Sequence, residues 1–324
     1  MKPLLLHYYI TNRCDSRCSF CGIWKEQPKV DANADEVLAN LRSARKAGCR
    51  FVDFTGGEPL LHPRLALFLR EAKEHGLITS ITTNCLTFKD RAKELSGLVD
   101  LLHFSLDADT EALHNEIRGS SSYTSVLESI PLALANNLVP DLLFTYDDRN
   151  IDSFDGVYDI ARRNRLMVIL DPVFSLEGPD IVLQETHRKA LVYAKRAGVY
   201  LNKAHISLRK QGGNHVEKPL CRAVTSTVVV LPDNRIALPC FHRAVDSLPI
   251  KGPLSDELTR QKRIEATALQ GRYPFCEGCH INCYFDPSYQ QLRSILLFQS
   301  MYAKASYAFT KYILYKKPWS HVLF

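Results

Sequence analysis

The fold and the chemistry of this chain are both indicated by one stretch near its start: residues 4–21 read LLLHYYITNRCDSRCSFC. Its first part, residues 4–11, is mostly apolar or aromatic, which predicts a buried strand. Cys14, Cys18 and Cys21 follow at intervals of four and three residues. Thiolates in such a loop suit a [4Fe–4S] cluster, which usually takes four of them. Because a fourth local thiol is missing, either a distant cysteine completes the cluster or one iron stays open to a substrate.

Strand-like runs alternate with helical patterns up to residue 198, which predicts a series of βα units. The predicted strands are Leu4–Thr11, Phe51–Thr55, Ile78–Thr83, Leu101–Leu106, Asp141–Tyr146 and Met167–Val173. The predicted helices are Ala34–Ala47, Arg64–His75, Lys89–Leu98, Ser125–Asn137, Ser153–Asn164 and Gln184–Ala197. Such a series implies an α/β fold in which a parallel sheet curves into a full or partial barrel. Ligands of such sheets bind at the carboxyl ends of the strands, where the cysteine loop lies.

The second predicted strand is followed by Gly56, Gly57, Glu58 and Pro59. Glycines permit close backbone approach, and a fixed carboxylate can bind an ammonium group. Together with the cysteine loop, these residues resemble the radical S-adenosylmethionine (SAM) superfamily, because the cysteines match its CxxxCxφC loop and residues 56–59 match its GGEP motif. The resemblance implies a partial (β/α)6 barrel in which Glu58 contacts the methionine amino group and Phe20 lies near the adenine.

Further cofactor contacts follow from the same resemblance, which covers residues 4–198. They are Asn84 after the third strand, Ser105 and Asp107 after the fourth, and Arg118, where a basic residue often meets the SAM carboxylate. Cys85 departs from the family pattern, which usually has a glycine there. A surface ion pair or a helix cap is the alternative role for Asp107 and Arg118.

The resemblance also implies a mechanism and its cofactors, a [4Fe–4S] cluster and SAM. The open iron binds SAM, and an electron from the reduced cluster breaks a carbon–sulfur bond of SAM. The resulting 5′-deoxyadenosyl radical removes hydrogen from an unactivated C–H group, while the protein supplies placement and a dry cavity. An external electron donor of the flavodoxin or ferredoxin type is the implied partner. Structural zinc is the alternative for the three cysteines, although zinc prefers four ligands and no nearby histidine completes the set.

A second group of cysteines lies beyond residue 198: Cys221, Cys240, Cys276, Cys279 and Cys283. The first two bracket a predicted hairpin over residues 228–238, and the last three form a CxxC pair with one further thiol. This pattern resembles the SPASM and shorter twitch extensions of radical SAM enzymes. A full SPASM domain has seven cysteines and two clusters, so the resemblance implies one auxiliary [4Fe–4S] cluster here. Structural zinc is again the alternative, and His242 and His280 are expected near the ligands rather than among them.

The last part of the chain predicts an aromatic and basic helix. Its apolar residues recur at intervals of three and four on one helical face: Ile295, Phe298, Tyr302, Ala305, Phe309 and Tyr312. Five cations follow Asp286 and no acidic residue does: Arg293, Lys304, Lys311, Lys316 and Lys317. Pro318 is expected to stop the helix, and Trp319 suits an interface. The helix is expected either to pack on the side of the barrel, or to contact an anionic membrane surface or a hydrophobic substrate.

Composition and charge limit the class of protein and the compartment that can be expected. The 324 residues have 46% hydrophobic content and a formal net charge of +6, which fits a folded protein and gives no reason to expect a nucleic-acid partner. Residues 1–10 lack the pattern of a signal peptide, and no apolar run is long enough to span a bilayer. A cytoplasmic protein is therefore expected, with the tail as its one candidate for peripheral membrane contact. Clustered thiols in that compartment indicate metal or redox chemistry rather than disulfides.

These features predict three regions: a radical SAM core over residues 1–198, a SPASM/twitch-like domain over 199–286, and a basic aromatic helix over 287–324. The leading hypothesis is an oxidoreductase that acts on a hydrophobic small molecule, such as an isoprenoid lipid or a tetrapyrrole like bacteriochlorophyllide. A peptide-modifying maturase is the second hypothesis. Against it, a first strand that begins at residue 4 is expected to leave no leader-binding domain before it. The third hypothesis is a non-catalytic iron–sulfur or zinc-binding protein. An open iron and Glu58 argue against it.

Overall fold

The computed structural model describes residues 2–176 and 180–315, and within these ranges the fold is built on a ten-stranded sheet. The strands are β1 Leu5–Thr11, β2 Phe51–Gly56, β3 Ile78–Thr83, β4 Leu101–Ser105, β5 Pro140–Tyr146, β6 Val168–Pro172, β7 Val199–Tyr200, β8 Thr227–Val230, β9 Arg235–Leu238 and β10 Asp246–Pro249. Their order is β10-β9-β8-β1-β2-β3-β4-β5-β6-β7. Neighbours from β8 to β7 are parallel, whereas β9 and β10 are antiparallel. The predicted α/β fold with a parallel sheet is confirmed.

Helices follow most of the parallel strands. They are α1 Ala34–Ala47, α2 Leu65–Glu74, α3 Phe88–Leu95, α4 Glu111–Arg118, α5 Tyr123–Ala135, α6 Phe154–Arg163, α7 Gln184–Tyr193, α8 Lys203–Lys210, α9 Ala223–Ser226, α10 Leu254–Glu257, α11 Gln261–Leu269, α12 Asn282–Tyr289 and α13 Ile295–Ala308. The side chain of Asn33 starts α1 by accepting hydrogen bonds from the backbone N–H groups of Asp35 and Glu36. Gly48 ends this helix with a φ of 114°, a conformation that favours glycine.

The two faces of the sheet differ in chemistry because side chains alternate along each strand. On the outer face, Leu6, Tyr8 and Ile10 of β1 join Phe54 and Phe104 in one apolar cluster with the surrounding helices. The inner face carries the alternate positions, and these are mostly polar. They include His7, Tyr9, Asp53, Thr82, His103, Thr145 and Asp171. The outer face therefore stabilises the fold, and the inner face is available for ligands.

The C-terminal third of the chain continues the same sheet. Strand β8 pairs in parallel with β1, from Leu5 against Thr227 to Tyr8 against Val230, and the predicted hairpin then adds β9. The sequence predicted this hairpin but not its place beside β1. Helix α12 lies across the inner face, where Asn282 donates to Asp171 over 2.9 Å. The proposed division at residues 198 and 286 stays a prediction, since β7 pairs with β6 and α12 runs through residue 286.

The C-terminal helix α13 continues as a π-helix over Phe309–Leu314 and packs against the molecule by one side. The sequence analysis expected its cations to have no acidic partners, and this was wrong for two of them. Lys304 pairs with Asp286 at 2.8 Å, and Lys311 pairs with Asp141 of β5 at 2.6 Å. Both acidic partners lie outside the tail, so its sequence could not show them. Lys316, Lys317, Pro318 and Trp319 lie outside the described residues.

Helix length bears on the relation of the chain to a bilayer. Across the ranges that the structure describes, no helix combines the length and the apolar character needed to cross a membrane.

Candidate cluster and cofactor site

The cysteine loop leaves β1 at the carboxyl end of the sheet and is fixed against the loop that follows β2. The backbone N–H of Gly57 donates to the carbonyl of Thr11 over 2.9 Å, and that of Glu58 donates to Arg13 over 2.8 Å. A Cβ atom at position 57 would lie 1.9 Å from the carbonyl oxygen of Arg13. Residue 57 must therefore be glycine for the two loops to meet, which is the close backbone approach that the motif predicted.

The other side of the cysteine loop is fixed by the end of α4. The N–H groups of Arg17 and Ser19 donate to the carbonyls of Arg118 and Ile117, each over 3.0 Å. These bonds use carbonyls that a helix end leaves without partners inside the helix. A Cβ atom at position 119 would lie 2.6 Å from the carbonyl oxygen of Arg17, so glycine is needed there too.

Arg118 joins three of the predicted site residues. Its guanidinium pairs with the carboxylate of Asp107 at 2.5 Å, and it donates to the thiol of Cys18 over 3.8 Å. The same group lies 5.4 Å from the ring centre of Phe20, a cation–π contact. Burial lowers the pKa of Arg118, but the pairing with Asp107 and Cys18 more than offsets this and leaves the pKa above its usual range. A permanent positive charge is thus held beside one thiol of the loop.

Glu58 is almost completely buried, and backbone groups bind both of its carboxylate oxygens. Oε1 accepts from the N–H of Leu60 over 3.1 Å, and Oε2 accepts from the N–H of Asn84 over 2.9 Å. Burial raises the pKa of Glu58 to about 7, and these backbone donors lower it only in part. An approaching ammonium group would favour the ionised form. The carboxylate predicted to bind SAM is therefore preorganised, and it also ties the loops after β2 and β3 together.

Asn84 contacts the cysteine loop directly. Its amide donates to Asp15 over 2.6 Å and to the hydroxyl of Ser16 over 2.8 Å. Ser105 ends β4 and is buried, as is Asp107, which accepts from the N–H of Thr145 over 2.8 Å. The structure thus places these three predicted residues at one edge of the sheet. Asn84 and Asp107 make these contacts with protein groups, so their predicted contacts with SAM stay predictions.

The environment of the first three thiols fits a bound cationic centre. Burial raises the pKa of Cys14 to about 12, and the nearby Glu58, Asp15 and Cys18 add to this effect. Burial also raises the pKa of Cys21. Thiols in such surroundings lose their protons only when a metal compensates the charge. Throughout the described ranges, no three His, Cys, Asp or Glu side chains converge on a single-ion site.

The second group of thiols is organised around Asn214, a residue that the sequence analysis missed. Its amide donates to the carbonyls of Gly271 and Cys276 over 2.8 and 3.1 Å, and its side-chain oxygen accepts from the N–H of Cys221 over 3.1 Å. Its backbone N–H donates to the carbonyl of Cys279 over 2.9 Å. One buried asparagine thus joins the segments that carry three of the five cysteines. The preceding Gly212 and Gly213 were the available sequence signal for a tight, specific turn.

The five C-terminal thiols lie close enough for their charges to interact. Burial raises the pKa of Cys221, and Cys279, Cys240 and Cys276 raise it further. Burial raises the pKa of Cys240 to about 12 and that of Cys276 to about 11. The pKa of Cys283 is also raised, by burial and by Cys240, Asp171 and Cys279. Cys283 therefore differs from the other four, because it also faces a carboxylate of the inner sheet face.

Tyr9 and Phe241 pack in one apolar cluster with Cys21 of the first group and with thiols of the second. The rings of Tyr9 and Phe241 stack at 3.9 Å with an angle of 11° between their planes. Burial raises the pKa of Tyr9, and both Cys283 and Cys21 raise it further, so this ring lies within electrostatic reach of both groups. Cys283 lies 4.0 Å from Nε2 of His242, whereas His280 contacts the backbone of Gly278 and Ser175. His242 thus lies beside a thiol, whereas the hydrogen bonds of His280 are with backbone groups, and the expectation that neither is a ligand stays a prediction.

The family follows from the match of a known sequence model. The model of the Radical SAM superfamily matches residues 8–161, the segment that contains the cysteine loop, Glu58 and Arg118. Residues 8–161 of the chain are a radical SAM domain. A radical SAM enzyme uses a [4Fe–4S] cluster and SAM, and the three-cysteine loop is the part of this chain whose thiols suit that cluster.

Two named proteins are similar in sequence to this chain. It is 26% identical over 280 residues to a protein of Sulfurisphaera tokodaii named "Probable GTP 3′,8-cyclase", which covers 80% of this chain and 88% of that one. It is 33% identical over 150 residues to a protein of the same name from Saccharolobus solfataricus, which covers 45% and 48%. The chain thus spans most of the first relative but about half of the second.

Solved structures show the same fold. SuiB of Streptococcus suis bound to S-adenosylmethionine superposes with a TM-score of 0.66 at 17% identity, covering 91% of this chain and 76% of that one. SuiB bound to precursor peptide SuiA superposes with a TM-score of 0.67 at 17% identity, covering 90% and 74%. At this identity the likeness shows the fold, including the C-terminal third, and does not transfer the activity.

Proposed function

We propose that this radical SAM enzyme removes hydrogen from a polar substrate held on the inner face of its sheet, with one auxiliary [4Fe–4S] cluster beside that face. The observation that carries the proposal is the position of Tyr9 on the inner face, in one apolar cluster with Cys21 of the first thiol group and Cys283 of the second. When bound, SAM and the first cluster supply a 5′-deoxyadenosyl radical.

The residues of the chain prepare this site in two ways. Glu58 offers a buried carboxylate to the amino group of SAM, and Arg118 offers a positive charge beside Cys18. Their buried positions exclude water, which strengthens both electrostatic contacts. Phe20 is partly exposed next to Arg118 and provides a flat surface for the adenine. Gly56, Gly57 and Pro59 keep the loop after β2 close to the cysteines.

For the auxiliary cluster we assign four of the five thiols, Cys221, Cys240, Cys276 and Cys279. Asn214 joins the backbone of three of them, and Cys240 interacts with Cys279 and Cys276. Cys283 is left over in this assignment. It lies on α12, 4.0 Å from Nε2 of His242 and within electrostatic reach of Asp171 as well as Cys240 and Cys279, and we propose that its thiol faces the substrate.

The substrate class follows from the inner face. His7 and Asp53 pair there at 3.1 Å, and Thr82 and His103 are 3.3 Å apart. Nε2 of His7 is buried and has no hydrogen-bond partner among the described residues, so a polar ligand would satisfy it and an apolar ligand would not. The relatives and solved structures also give no support to a hydrophobic small molecule. The isoprenoid or tetrapyrrole substrate therefore stays a prediction without support beyond the tail sequence.

GTP, which the names of the relatives suggest, is a polar molecule but carries a highly negative triphosphate. Asp53 and Asp171 face the site from two strands, and like charges would oppose a triphosphate there. The pKa of Asp171 is raised to about 6 by burial, so this carboxyl is still mostly ionised at neutral pH. A neutral or cationic polar substrate fits these carboxylates better.

A peptide is the second candidate substrate, because peptide amides and amino groups are neutral or cationic donors of this kind. The SuiB complex shows that the shared fold can accompany a bound precursor peptide. A substrate radical next to an auxiliary cluster could pass an electron to it, which is consistent with the predicted oxidoreductase class. We retain a flavodoxin or ferredoxin as the proposed electron donor. The cytoplasmic location stays a prediction.

The test is anaerobic turnover of the reconstituted enzyme with SAM and a chemical reductant. We expect 5′-deoxyadenosine from the wild type and none after Cys14, Cys18 and Cys21 are all changed to alanine. Cys49→Ala, which removes a buried thiol outside both groups, should retain product formation. Product formation by the triple variant would refute the proposal. Stimulation by lipophilic pigments but not by peptides or amino compounds would refute the substrate class.

A further inference from the structure

Helix α13 and its π-helical continuation bury one side and expose large apolar residues on the opposite side. The side that faces the molecule buries Leu296, Ser300 and Ala303, and Lys311 reaches Asp141 from it. The opposite side exposes a row of large apolar residues to solvent: Ile295, Phe298, Met301, Tyr302, Phe309, Ile313 and Leu314. Their exposed fractions range from 46% to 72%. We call these seven residues the outer row.

The outer row is long. From Ile295 to Leu314 it extends roughly 28 Å at the rise of an α-helix. The exposed residues between Tyr302 and Phe309 are the small Ala305 and Ser306. Single exposed apolar residues need no explanation, but seven large ones on one side of a helix indicate a surface that is covered in use. Five of the six residues that the sequence predicted to share a helical face are exposed, and only Tyr312 is buried.

The free charges that the sequence offers around the outer row are basic. Lys304 and Lys311 are engaged by Asp286 and Asp141, so they contribute little to an external anion. Arg293 is exposed just before the row, and Lys316 and Lys317, which lie outside the described residues, follow it in the sequence. No acidic residue occurs anywhere in residues 287–324. An apolar helix side in a stretch that carries basic and no acidic residues is typical of a helix that lies in the headgroup region of a bilayer.

We propose that the outer row docks this enzyme on the surface of a membrane that contains anionic lipids, with its apolar side chains in the acyl boundary. A second copy of the chain is a poorer occupant. Pairing the rows of two copies would bring together two exposed Arg293 side chains and two tails that contain no acidic residue to offset them. The proposal concerns an outward surface and does not depend on the chemistry assigned to the thiols.

The test is co-sedimentation of the full chain with vesicles at low and high salt. One set of vesicles contains phosphatidylcholine alone, and the other contains about a quarter phosphatidylglycerol, whose charge attracts basic side chains. We expect binding to the anionic vesicles that weakens as salt rises. The double variant Phe298→Glu, Phe309→Glu should bind at least about tenfold less, because each new carboxylate would be placed in lipid.

A matched control separates this effect from a general loss of apolar surface. The double variant Ile264→Glu, Leu269→Glu changes two exposed apolar residues of α11 and should bind like the wild type. If the glutamate pair in the outer row lowers the melting temperature, the pair Phe298→Ser, Phe309→Ser replaces it and should also bind less. Absence of wild-type binding at low salt would overturn the proposal, as would equal binding by all variants. A wild-type dimer that the outer-row variants dissociate, without vesicle binding, would assign the row to a second copy.

Discussion

Arg118 and Asp107 form a buried ion pair at 2.5 Å that holds a positive charge against the cysteine loop. Asp107 is fully buried at the end of β4, and Arg118 comes from the last turn of α4. The pair connects the sheet to Cys18, because the same guanidinium donates to that thiol. We therefore expect both stability and cluster retention to depend on this one electrostatic contact.

Breaking this pair should be costly. Asp107→Asn leaves the buried guanidinium without its counter-charge, which we expect to destabilise the fold by about 3–5 kcal/mol. The variant should also retain less iron, since the cysteine loop loses a fixed neighbour. Urea unfolding and iron analysis measure both effects. Glu185→Gln removes the partner of Arg188 in an exposed pair and should cost about 1 kcal/mol or less. Equal losses in the two variants would contradict the role assigned to Arg118.

Glu58 should make SAM binding depend on pH. Its carboxylate must be ionised to attract an ammonium group, and its pKa in the free protein is about 7. Because burial raises this pKa, the ionised fraction falls as pH decreases through 7. SAM affinity should therefore rise between about pH 6 and pH 8, by up to about tenfold per unit on the acid side. Equilibrium binding of labelled SAM measures this, and a flat profile would indicate that Glu58 only joins the two loops.

Glu58→Gln should remove that dependence and weaken binding. A charge-assisted hydrogen bond is worth about 1.5–3 kcal/mol, so the affinity should fall roughly 10- to 150-fold. Glutamine has one acceptor oxygen for the N–H groups of Leu60 and Asn84, so the variant should also lose about 1–3 kcal/mol of stability. Glu74→Gln, on the exposed side of α2, is the control and should change neither quantity. Unchanged SAM affinity in Glu58→Gln would disprove the contact.

Iron content should distinguish the five C-terminal thiols. With two [4Fe–4S] clusters we expect about eight iron atoms per chain. Cys221→Ala should lose roughly half of them, whereas Cys283→Ala should retain nearly all. Loss of the auxiliary iron in Cys283→Ala would make Cys283 a ligand. Stoichiometric zinc with about four irons would favour the structural zinc alternative instead.

The buried ion pair between Lys311 of the tail and Asp141 should stabilise the fold whether or not a membrane is present. Lys311→Met leaves Asp141 as an unpaired buried carboxylate beside Tyr307 and His103, which we expect to cost about 3–5 kcal/mol. Lys304→Met breaks a pair in which both side chains are about one-third exposed, so the cost should be about 1 kcal/mol or less. Thermal unfolding of both variants measures this difference, and a tail that does not pack on β5 would show no difference.

Local patterns in the sequence were sufficient to predict the bounds of two elements near the cluster. Residues 34–47 and 78–83 were predicted with the bounds that the structure shows, because caps and alternation are local signals. Helix α4 was missed, since eight residues between Thr110 and Gly119 give a weak periodic signal. The roles of Arg118 and Asp107 followed only from the family resemblance, because their pairing joins distant elements.

Long-range contacts account for what the sequence could not show. The pairing of β8 with β1 joins segments more than 200 residues apart, and nothing in either strand specifies the other. Asp141 neutralises Lys311 across a similar distance, so a tail that looked uniformly basic has its charge partly offset. Asn214 carries no motif, and its importance appears only when the segments around it meet.

The central claim is that Cys14, Cys18 and Cys21 hold a cluster with an iron open to SAM. Electron paramagnetic resonance of the dithionite-reduced protein, recorded before and after SAM is added, tests it most directly. We expect SAM to change the spectrum of the wild type, and to leave unchanged that of a triple variant with all three cysteines replaced by alanine, which should retain about four irons. Identical wild-type spectra with and without SAM, in protein that carries its full iron, would contradict the account.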